Sequence, residues 1–220
     1  MKSEYDYPEE ALVPKDQRVS RRIELSDPPN ELDFQDIFGN SDPVELEIGF
    51  GKGLFLLHSG YQNPGTNFLG VEYARKYFLS ACDRIEKRPI HNVRLIHGEA
   101  MEVLTHAIPD GSLQKIHLYF PDPWPKKRHH KRRLFQMPFL EIAHRKLKTD
   151  AHLFLATDHA GYWEWMQEIL QNQSLFKRTE DLPQPPGPEH TGLTNYDLKY
   201  QKEGREINRA VYQRVSPLSN

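Results

Sequence analysis

A short stretch in the middle of the chain combines an acid, an aromatic ring and a run of bases. Asp122 lies between Pro121 and Pro123, and Trp124 follows. Because prolines restrict the backbone on both sides, we expect this carboxylate to point in a fixed direction. A fixed carboxylate can accept hydrogen bonds from the N1–H and N2–H₂ edge of guanine, or stabilise positive charge on an alkylated purine. The alternative is an aspartate that only forms a turn, but this would not explain Trp124, Lys126 or the basic residues that follow.

The residues that follow form a basic segment, residues 126–133. Six of its eight members are Lys or Arg, two are His, and no acid interrupts them. Exposed helix faces usually mix both signs of charge, so this composition favours contact with a phosphate backbone, which positions a nucleic acid without reading its sequence. Its adjacent histidines lack the further ligands of a metal site, and we predict no metal. The members are Lys126, Lys127, Arg128, His129, His130, Lys131, Arg132 and Arg133.

A glycine-rich turn is predicted earlier in the chain, with Glu47 two residues before Gly49, Gly51 and Gly53. The dinucleotide fingerprint needs a glycine where Leu54 stands, and the Gly-Lys-Ser/Thr of a phosphate-binding loop is missing. S-adenosylmethionine carries no phosphate. Its carboxylate, ammonium and sulfonium groups suit a glycine turn with nearby acids, and these glycines are therefore candidate cofactor-binding residues. An ordinary turn is the alternative.

Three further acids follow predicted strands. Glu72 comes 23 residues after Gly49, where a carboxylate can accept hydrogen bonds from ribose hydroxyls. Glu99 either accepts from an adenine amino group or complements a helix N-terminus. Asp158 either contacts a ligand or caps a helix.

The elements that must position these acids alternate between strand and helix. The predicted strands cover residues 44–48, 68–71, 93–96, 116–120, 152–156 and 210–215. Helices are predicted between them, one of them with Pro138 in its first turn, and a short helix near residues 33–38. This alternation is typical of an α/β fold with a doubly wound, mostly parallel sheet, whose ligands bind beyond the carboxyl ends of the strands.

The composition limits the remaining possibilities. The 220 residues carry a net charge of −2, so any contact with a polyanion must be local. The lone cysteine, the lack of a signal-like start and the lack of a long apolar run predict a cytoplasmic protein without a membrane span. We expect an N-terminal arm at residues 1–42 and one domain at residues 43–220. Within that domain, residues 182–204 should form a mobile proline-rich loop and a substrate segment.

Several of these segments together resemble the bacterial tRNA (guanine-N7-)-methyltransferases. They are residues 47–53, 120–126, 131–133 and 156–158. Residues 194–199, with Gly204 beyond, resemble the family's Thr-x-Phe-Glu-x-Lys segment, with Tyr196 and Asp197 in place of Phe and Glu. Glu99 stands where the family usually has Asp or Asn. The resemblance spans residues 44–215.

This resemblance implies a class I, Rossmann-like methyltransferase with a seven-stranded sheet and helices on both faces. The implied reaction transfers a methyl group from S-adenosylmethionine to N7 of a tRNA guanosine in the variable loop, at position 46 in tRNA numbering. The cofactor contacts would be Glu47, Glu72, Glu99 and Asp122, and Asp122 would also be the catalytic acid. The guanosine contacts would be Lys126, Asp158, Thr194, Asn195, Tyr196 and Asp197. The RNA backbone contacts would be Arg128, His129, His130, Lys131, Arg132 and Arg133.

Some alternatives stay open at this point. Either Asp122 or Asp158 could face the guanine edge, and the protein could be a monomer or a homodimer. A small-molecule methyltransferase would share the glycine turn but would not need the basic segment. An RNA-binding protein without activity would not need the set of acids at the strand ends.

Overall fold

The structure is a computed structural model that describes residues 12–27, 29–179 and 194–216. Short 3₁₀ helices occur at Lys15–Gln17 and Lys127–Arg132. The strands are β1 (Arg22–Ile23), β2 (Val44–Ile48), β3 (Asn67–Glu72), β4 (Val93–His97), β5 (Leu113–Tyr119), β6 (Leu147–Thr157), β7 (Phe176–Thr179) and β8 (Asn208–Arg214). The helices are α1 (Phe34–Phe38), α2 (Leu54–Gln62), α3 (Arg75–Glu86), α4 (Ala100–His106), α5 (Met137–Lys146), α6 (Ala160–Gln171) and α7 (Asn195–Lys202).

One mixed sheet organises these elements, with strand order β1-β4-β3-β2-β5-β6-β8-β7. All pairs from β1 to β6 are parallel, whereas β8 runs antiparallel to both β6 and β7. Every residue of β2 and β3 is buried, as expected for central parallel strands that are covered on both faces.

Helices cover both faces of the sheet, as predicted. One core cluster joins the sheet to buried residues of α1, α4, α5 and α6, and the other joins it to α2 and α3. Cys82 is a free, buried cysteine in the second cluster. Among the described residues, no helix combines the length and the apolar character needed to cross a bilayer.

The predicted alternation is confirmed, but the strand count of seven is wrong, because the described sheet has eight strands. Two of these strands were not among the six with predicted bounds: β7, which pairs with β8, and β1, in the region interpreted as an arm, where Arg22 and Ile23 pair with β4. Two residues are too few to show a period in the sequence. The predicted α1 and its position are confirmed, with Asp33 as N-cap, and Pro138 lies in the first turn of α5. Residues 182–193 of the predicted loop lie outside the described residues, and the domain boundary at residue 43 stays a prediction.

The sheet order reverses between β2 and β5. The chain moves from β2 outward through β3 and β4, and then returns to the other side of β2 as β5. The connections that leave β2 and β5 therefore diverge to opposite faces, and they leave a crevice at the carboxyl ends of these two strands. Of the predicted acids, Glu47 lies in β2 and Asp122 follows β5. Glu72 ends β3 and Glu99 follows β4, on the same edge of the sheet.

Candidate active site

A cavity of about 380 Å³ occupies this crevice. Its walls come from the residues that follow β2, β3, β4 and β5, together with one residue of α7. The lining residues are Ile48, Gly49, Gly51, Val71, Glu72, Tyr73, Ala74, Tyr77, Gly98, Glu99, Ala100, Leu118, Tyr119, Phe120, Pro121, Asp122, Trp124, Arg132, Leu134 and Tyr196. The fold thus brings three of the predicted acids, Glu72, Glu99 and Asp122, to one cavity.

The glycine turn, residues 49–53, forms the β2 side of this cavity. Gly49, Gly51 and Gly53 have φ values of 73°, 55° and 69°, a left-handed region that side chains disfavour. A Cβ atom at Gly49 or Gly51 would meet nothing within 4 Å, whereas at Gly53 it would lie 2.9 Å from the Cβ of Ala81. The first two glycines therefore leave room for a ligand against the backbone, and the third allows α2 to pack on α3.

Glu72 ties the turn to the second strand. Its Oε2 accepts a hydrogen bond from the Gly51 N–H at 2.8 Å, and its Oε1 accepts one from the Ala74 N–H at 2.7 Å. The side chain is buried but lines the cavity. Both carboxylate oxygens are thereby held in place, and each has a further lone pair for a ligand.

Glu47 lies behind this wall with an unusual environment for a carboxyl group. It is 3% exposed, and its Oε2 has no hydrogen-bond partner among the described residues. Burial, and then the charges of Glu72 and Asp197, raise its pKa well above the usual range. A buried acceptor without a partner, next to other acids and an open glycine turn, fits a cationic ligand such as the donor that the sequence predicts.

Glu99 caps a helix and also lies at the cavity. Its Oε2 accepts the Glu102 N–H at 2.9 Å and so caps α4. The same exposed side chain also lines the cavity. Capping therefore does not remove Glu99 from the candidate cofactor site.

Asp122 lies on a strained turn after β5. Phe120 and Trp124, on either side of it, have φ values of 50° and 42°, which are rare for residues other than glycine. The carboxylate is exposed at the cavity and makes no hydrogen bond to a described residue. Strain of this kind persists only where the surroundings enforce it, and it is frequent at functional sites.

Most of the basic segment is exposed beside this turn. Lys126 precedes the 3₁₀ helix, and Lys127, Arg128, Lys131 and Arg132 are exposed along it. His129 and His130 are partly exposed. The guanidinium of Arg132 also stacks over the ring of Trp124 at 5.0 Å and lines the cavity. The segment and the cavity thus share a border.

Arg133 departs from the expectation that it contacts RNA. It is 4% exposed, and its Nε donates to the Pro123 carbonyl at 2.8 Å. Its guanidinium stacks over the rings of Tyr162 at 4.9 Å and Trp165 at 5.1 Å. Arg133 therefore fastens the strained turn to α6.

The predicted substrate segment forms the start of α7. Thr194 and Asp197 cap this helix reciprocally: the Asp197 carboxylate accepts the Thr194 N–H and hydroxyl, and the Thr194 hydroxyl accepts the Asp197 N–H. Asp197 also pairs with Arg209 of β8. Both capping residues are buried, Asn195 is partly exposed, and Tyr196 lines the cavity. Within this segment, Tyr196 is thus the residue that faces the cavity.

Asp158 follows β6 but does not cap α6, which corrects that alternative. The N-cap is His159, whose Nδ1 accepts the Tyr162 N–H at 3.1 Å. Asp158 instead pairs with Arg205, its Oδ2 lying 2.7 Å from the arginine Nη1. Its carboxylate therefore faces the end of α7.

Sequence reasoning missed a buried polar network next to Glu47. The His117 Nε2 lies 2.9 Å from the Glu45 carboxylate, and its Nδ1 lies 2.8 Å from the Tyr119 hydroxyl. Burial lowers the pKa of His117, so the neutral ring donates from Nε2 and accepts from Tyr119. Alternating polar residues in two central strands were the available signal, since such positions are usually apolar.

No group of three or more potential metal ligands comes together in the described part of the chain.

The chain is similar to known methyltransferases over most of its length. The family model described as "Putative methyltransferase" matches residues 41–210. A Shewanella oneidensis protein named tRNA (guanine-N(7)-)-methyltransferase is 39% identical over 189 residues, which cover 86% of this chain and 79% of that protein. A protein of the same name from Chromohalobacter salexigens is 34% identical over 202 residues, covering 90% and 82%.

Solved structures share the fold at low identity. A SAM dependent methyltransferase from Aquifex aeolicus has a TM-score of 0.54 at 14% identity, covering 80% of this chain and 85% of that one. An antibiotic related methyltransferase has a TM-score of 0.54 at 17% identity, covering 82% and 90%. The fold is that of the class I methyltransferases, and by its family model and its relatives this chain belongs to the tRNA (guanine-N(7)-)-methyltransferase family.

Proposed function

We propose that this enzyme transfers a methyl group from S-adenosylmethionine to N7 of a guanosine in the tRNA variable loop, at position 46. The observation that carries the proposal is the position of Asp122. Its carboxylate lies on a strained turn, at a cavity with the carboxylates of Glu72 and Glu99 on the β3 and β4 side and an exposed basic segment on the other. One end of this site suits a cationic donor, and the other suits an anionic acceptor.

The donor side is formed by the glycine turn and three acids. S-adenosylmethionine supplies an electrophilic methyl group on a positively charged sulfur. Glu72 would accept hydrogen bonds from its ribose and Glu99 from its adenine. The buried Glu47, whose raised pKa keeps it protonated in the free protein, would release its proton and balance the positive charge of the donor. Gly49 and Gly51 leave the backbone accessible on the same side.

The acceptor needs orientation more than activation. Guanine N7 carries a lone pair and no proton, so no general base has to act before it attacks the methyl group. Positioning of two reactants in line can lower a barrier by roughly 7–11 kcal/mol. The strained turn and the stack of Arg132 on Trp124 hold the walls on this side of the cavity rigid.

Asp122 would stabilise the charge that appears on the base. Methylation at N7 turns a neutral purine into a cation, and a fixed carboxylate at the cavity favours this change. Asp122 is available because it forms no hydrogen bond with the described residues. Its carboxylate can therefore interact with the base or with the donor.

The basic segment would hold the RNA backbone. Lys126, Arg128, His129, His130, Lys131 and Arg132 are exposed or partly exposed on the border of the cavity. Contacts of this type neutralise phosphates and make binding depend steeply on salt. A cytoplasmic location and a monomeric or homodimeric state are part of the same proposal and rest on the sequence alone.

The decisive experiment replaces Asp122. We expect Asp122→Ala to reduce methyl transfer to bulk tRNA by about 100-fold or more, the range found when one charge-stabilising group is lost. Unfolding free energy should change little because the side chain is exposed. Mapping the labelled nucleoside in tRNA treated with the wild-type protein tests the position and the atom that are methylated. A folded Asp122→Ala protein with near-normal turnover would refute the assignment, and label in small molecules but not in tRNA would favour a small-molecule methyltransferase.

A further inference from the structure

The C-terminal end of α7 places an arginine against Asp158. The helix ends at Lys202, Gly204 has a φ of 67°, and the Arg205 N–H donates to the Tyr200 carbonyl at 2.9 Å. This is the Schellman arrangement, in which a left-handed glycine lets the chain fold back over the last helical turn. It fixes the backbone of Arg205 beside Tyr200.

The Arg205 guanidinium contacts carboxylates in its plane and an aromatic ring on its face. In the plane, Nη1 lies 2.7 Å from Asp158 Oδ2, and Nε lies 2.7 Å from Glu203 Oε2. On the face, the guanidinium carbon lies 4.5 Å from the centroid of the Tyr200 ring. A planar group with parallel N–H donors thus occupies a slot made by the Asp158 carboxylate, the Glu203 carboxylate and one aromatic ring.

Aromatic contacts connect this slot to the cavity. The Tyr200 ring lies 5.4 Å from Phe120 and 5.7 Å from Tyr196, which are themselves 5.8 Å apart. Phe120 and Tyr196 line the cavity. The slot and the methyl-transfer cavity are therefore adjacent parts of one surface.

Guanine presents the same pattern of donors as a guanidinium group. Its N1–H and N2–H₂ point from one edge of a planar conjugated ring, and a carboxylate can accept from both, as it does from arginine. Its face stacks on aromatic side chains, as unpaired RNA bases commonly do. We infer that Arg205 occupies the place of the target guanine's Watson–Crick edge, with Asp158 as the acceptor of that edge and Tyr200 as the stacking surface. The inference rests on the proposed function.

This placement divides the work between the two acids. N7 lies on the opposite side of the purine from N1 and N2. A base whose edge meets Asp158, after β6, directs N7 toward the neighbouring strand β5 and Asp122. Asp158 then recognises the base, and Asp122 stabilises the charge formed on it. Adenine has an unprotonated N1 that repels a carboxylate, so the same slot selects guanine.

Arg205 must leave the slot when the base enters, which makes it a competitor of the substrate. Removal of an exposed ion pair changes equilibria modestly, so we expect Arg205→Ala to lower the KM for tRNA about two- to fivefold with an unchanged kcat. The affinity for the donor should not change. Lys202→Ala is the matched control, because it removes one exposed positive charge from the same helix and should leave the KM the same or slightly higher.

A raised KM in Arg205→Ala would overturn the inference, because Arg205 would then bind the RNA. An unchanged KM would overturn it as well. The affinity for tRNA, measured by filter binding without the donor, should move in the same direction as the KM. Wild-type protein that binds tRNA but leaves it unmethylated would refute the proposed function instead, so the two failures are distinguishable.

The stacking role of Tyr200 gives a second measurement. Loss of a base–aromatic stack typically weakens binding, so Tyr200→Leu should raise the KM for tRNA roughly tenfold, and Tyr200→Phe should restore most of this loss. Inosine differs from guanosine only in lacking the N2 donors, which Asp158 is proposed to accept. Asp158→Asn should therefore reduce the discrimination between guanosine and inosine at the target position, and Tyr200→Leu should reduce it less. Equal use of guanosine and inosine by the wild type would contradict the role of Asp158.

Discussion

Replacement of Glu47 by Gln tests whether this buried carboxyl group binds the donor and lowers the stability of the free protein. The side chain is 3% exposed, and its Oε2 has no partner among the described residues. Burial, followed by the charges of Glu72 and Asp197, raises its pKa well above the usual range. Over the pH range between the two pKa values, the folded protein keeps a proton that the unfolded chain has released.

This difference sets the sign of the pH dependence. Because the folded state binds the extra proton, the free energy of unfolding falls as the pH rises from about 4.5 toward the raised pKa of Glu47. Gln does not ionise, so Glu47→Gln should remove this fall in the free energy of unfolding. The Gln amide can also donate to the neighbouring carboxylates. An unsatisfied buried polar group costs about 1–3 kcal/mol, so Glu47→Gln should raise the free energy of unfolding by this amount at pH 8 and by less at pH 5.

Glu45→Gln is a control with the opposite sign. Glu45 lies two residues earlier in β2, with its Oε1 2.6 Å from Lys115 Nζ and its Oε2 2.9 Å from His117 Nε2. Burial alone would raise the pKa of Glu45, but His117 and Lys115 together lower it to about 2. Relative to the ordinary value of 4.5, this corresponds to about 3 kcal/mol of stability that is present above pH 4.5 and lost as the pH falls through 2. Glu45→Gln should therefore destabilise the protein at neutral pH by up to about 3 kcal/mol.

Urea unfolding at pH 5, 7 and 8 and calorimetric titration with S-adenosylmethionine measure both effects. We expect Glu47→Gln to bind the donor about 10-fold or more weakly, since hydrogen bonds to charged groups contribute about 1.5–3 kcal/mol. Glu45→Gln should bind it as the wild type does. A Glu47→Gln protein that is less stable than the wild type at pH 8 and binds the donor normally would show that Glu47 is structural, and would refute the reasoning.

Four further substitutions test the surroundings of the site. Arg132→Ala should weaken tRNA binding and reduce its salt dependence by about one phosphate contact. Arg133→Ala should instead lower the free energy of unfolding by about 2 kcal/mol, because two ring stacks and a hydrogen bond are lost. An Arg133→Ala protein of wild-type stability with weak tRNA binding would reverse this assignment. Arg209→Met should leave Asp197 buried without its cation, which should lower the free energy of unfolding by about 3 kcal/mol and raise the KM for tRNA. An unchanged melting curve would argue against that ion pair. Gly53→Ala should lower the free energy of unfolding by about 1–3 kcal/mol, because φ is 69° at this residue and the new Cβ would lie 2.9 Å from the Cβ of Ala81 in α3. Gly111→Ala is the control, since φ is 61° there and no atom lies within 4 Å of the new Cβ. Thermal unfolding compares the two variants.

The acids at the strand ends were predictable because their arrangement depends on topology rather than on detail. Once the alternation of strands and helices indicates a parallel sheet, Glu72, Glu99 and Asp122 must meet at one edge. The structure adds what periodicity does not contain, such as the orphaned oxygen of Glu47 and the strain at Phe120.

Roles that depend on a distant partner were not predictable. Arg133 has the same type and neighbours as the exposed bases before it, and only α6, about thirty residues later, supplies the rings that bury it. Asp is a common N-cap and His is not, yet His159 caps α6 while the Asp158 carboxylate pairs with Arg205, 47 residues later. β1 is similar, because two residues form a strand only when the edge of β4 is available.

The separation of charge across this surface explains how one protein with a net charge of −2 can hold both reactants. Carboxylates at the cavity favour a cationic donor, while the basic segment outside it favours phosphate. Methyl transfer moves the positive charge from the sulfur to the purine, a short distance within the same field. In the proposed reaction, the charge would leave the surroundings of Glu47 and Glu72 and arrive beside Asp122, so the donor side would hold its neutral product less tightly. Phosphate contacts bind the tRNA and not the donor, so salt should change the KM for tRNA more than the affinity for the donor.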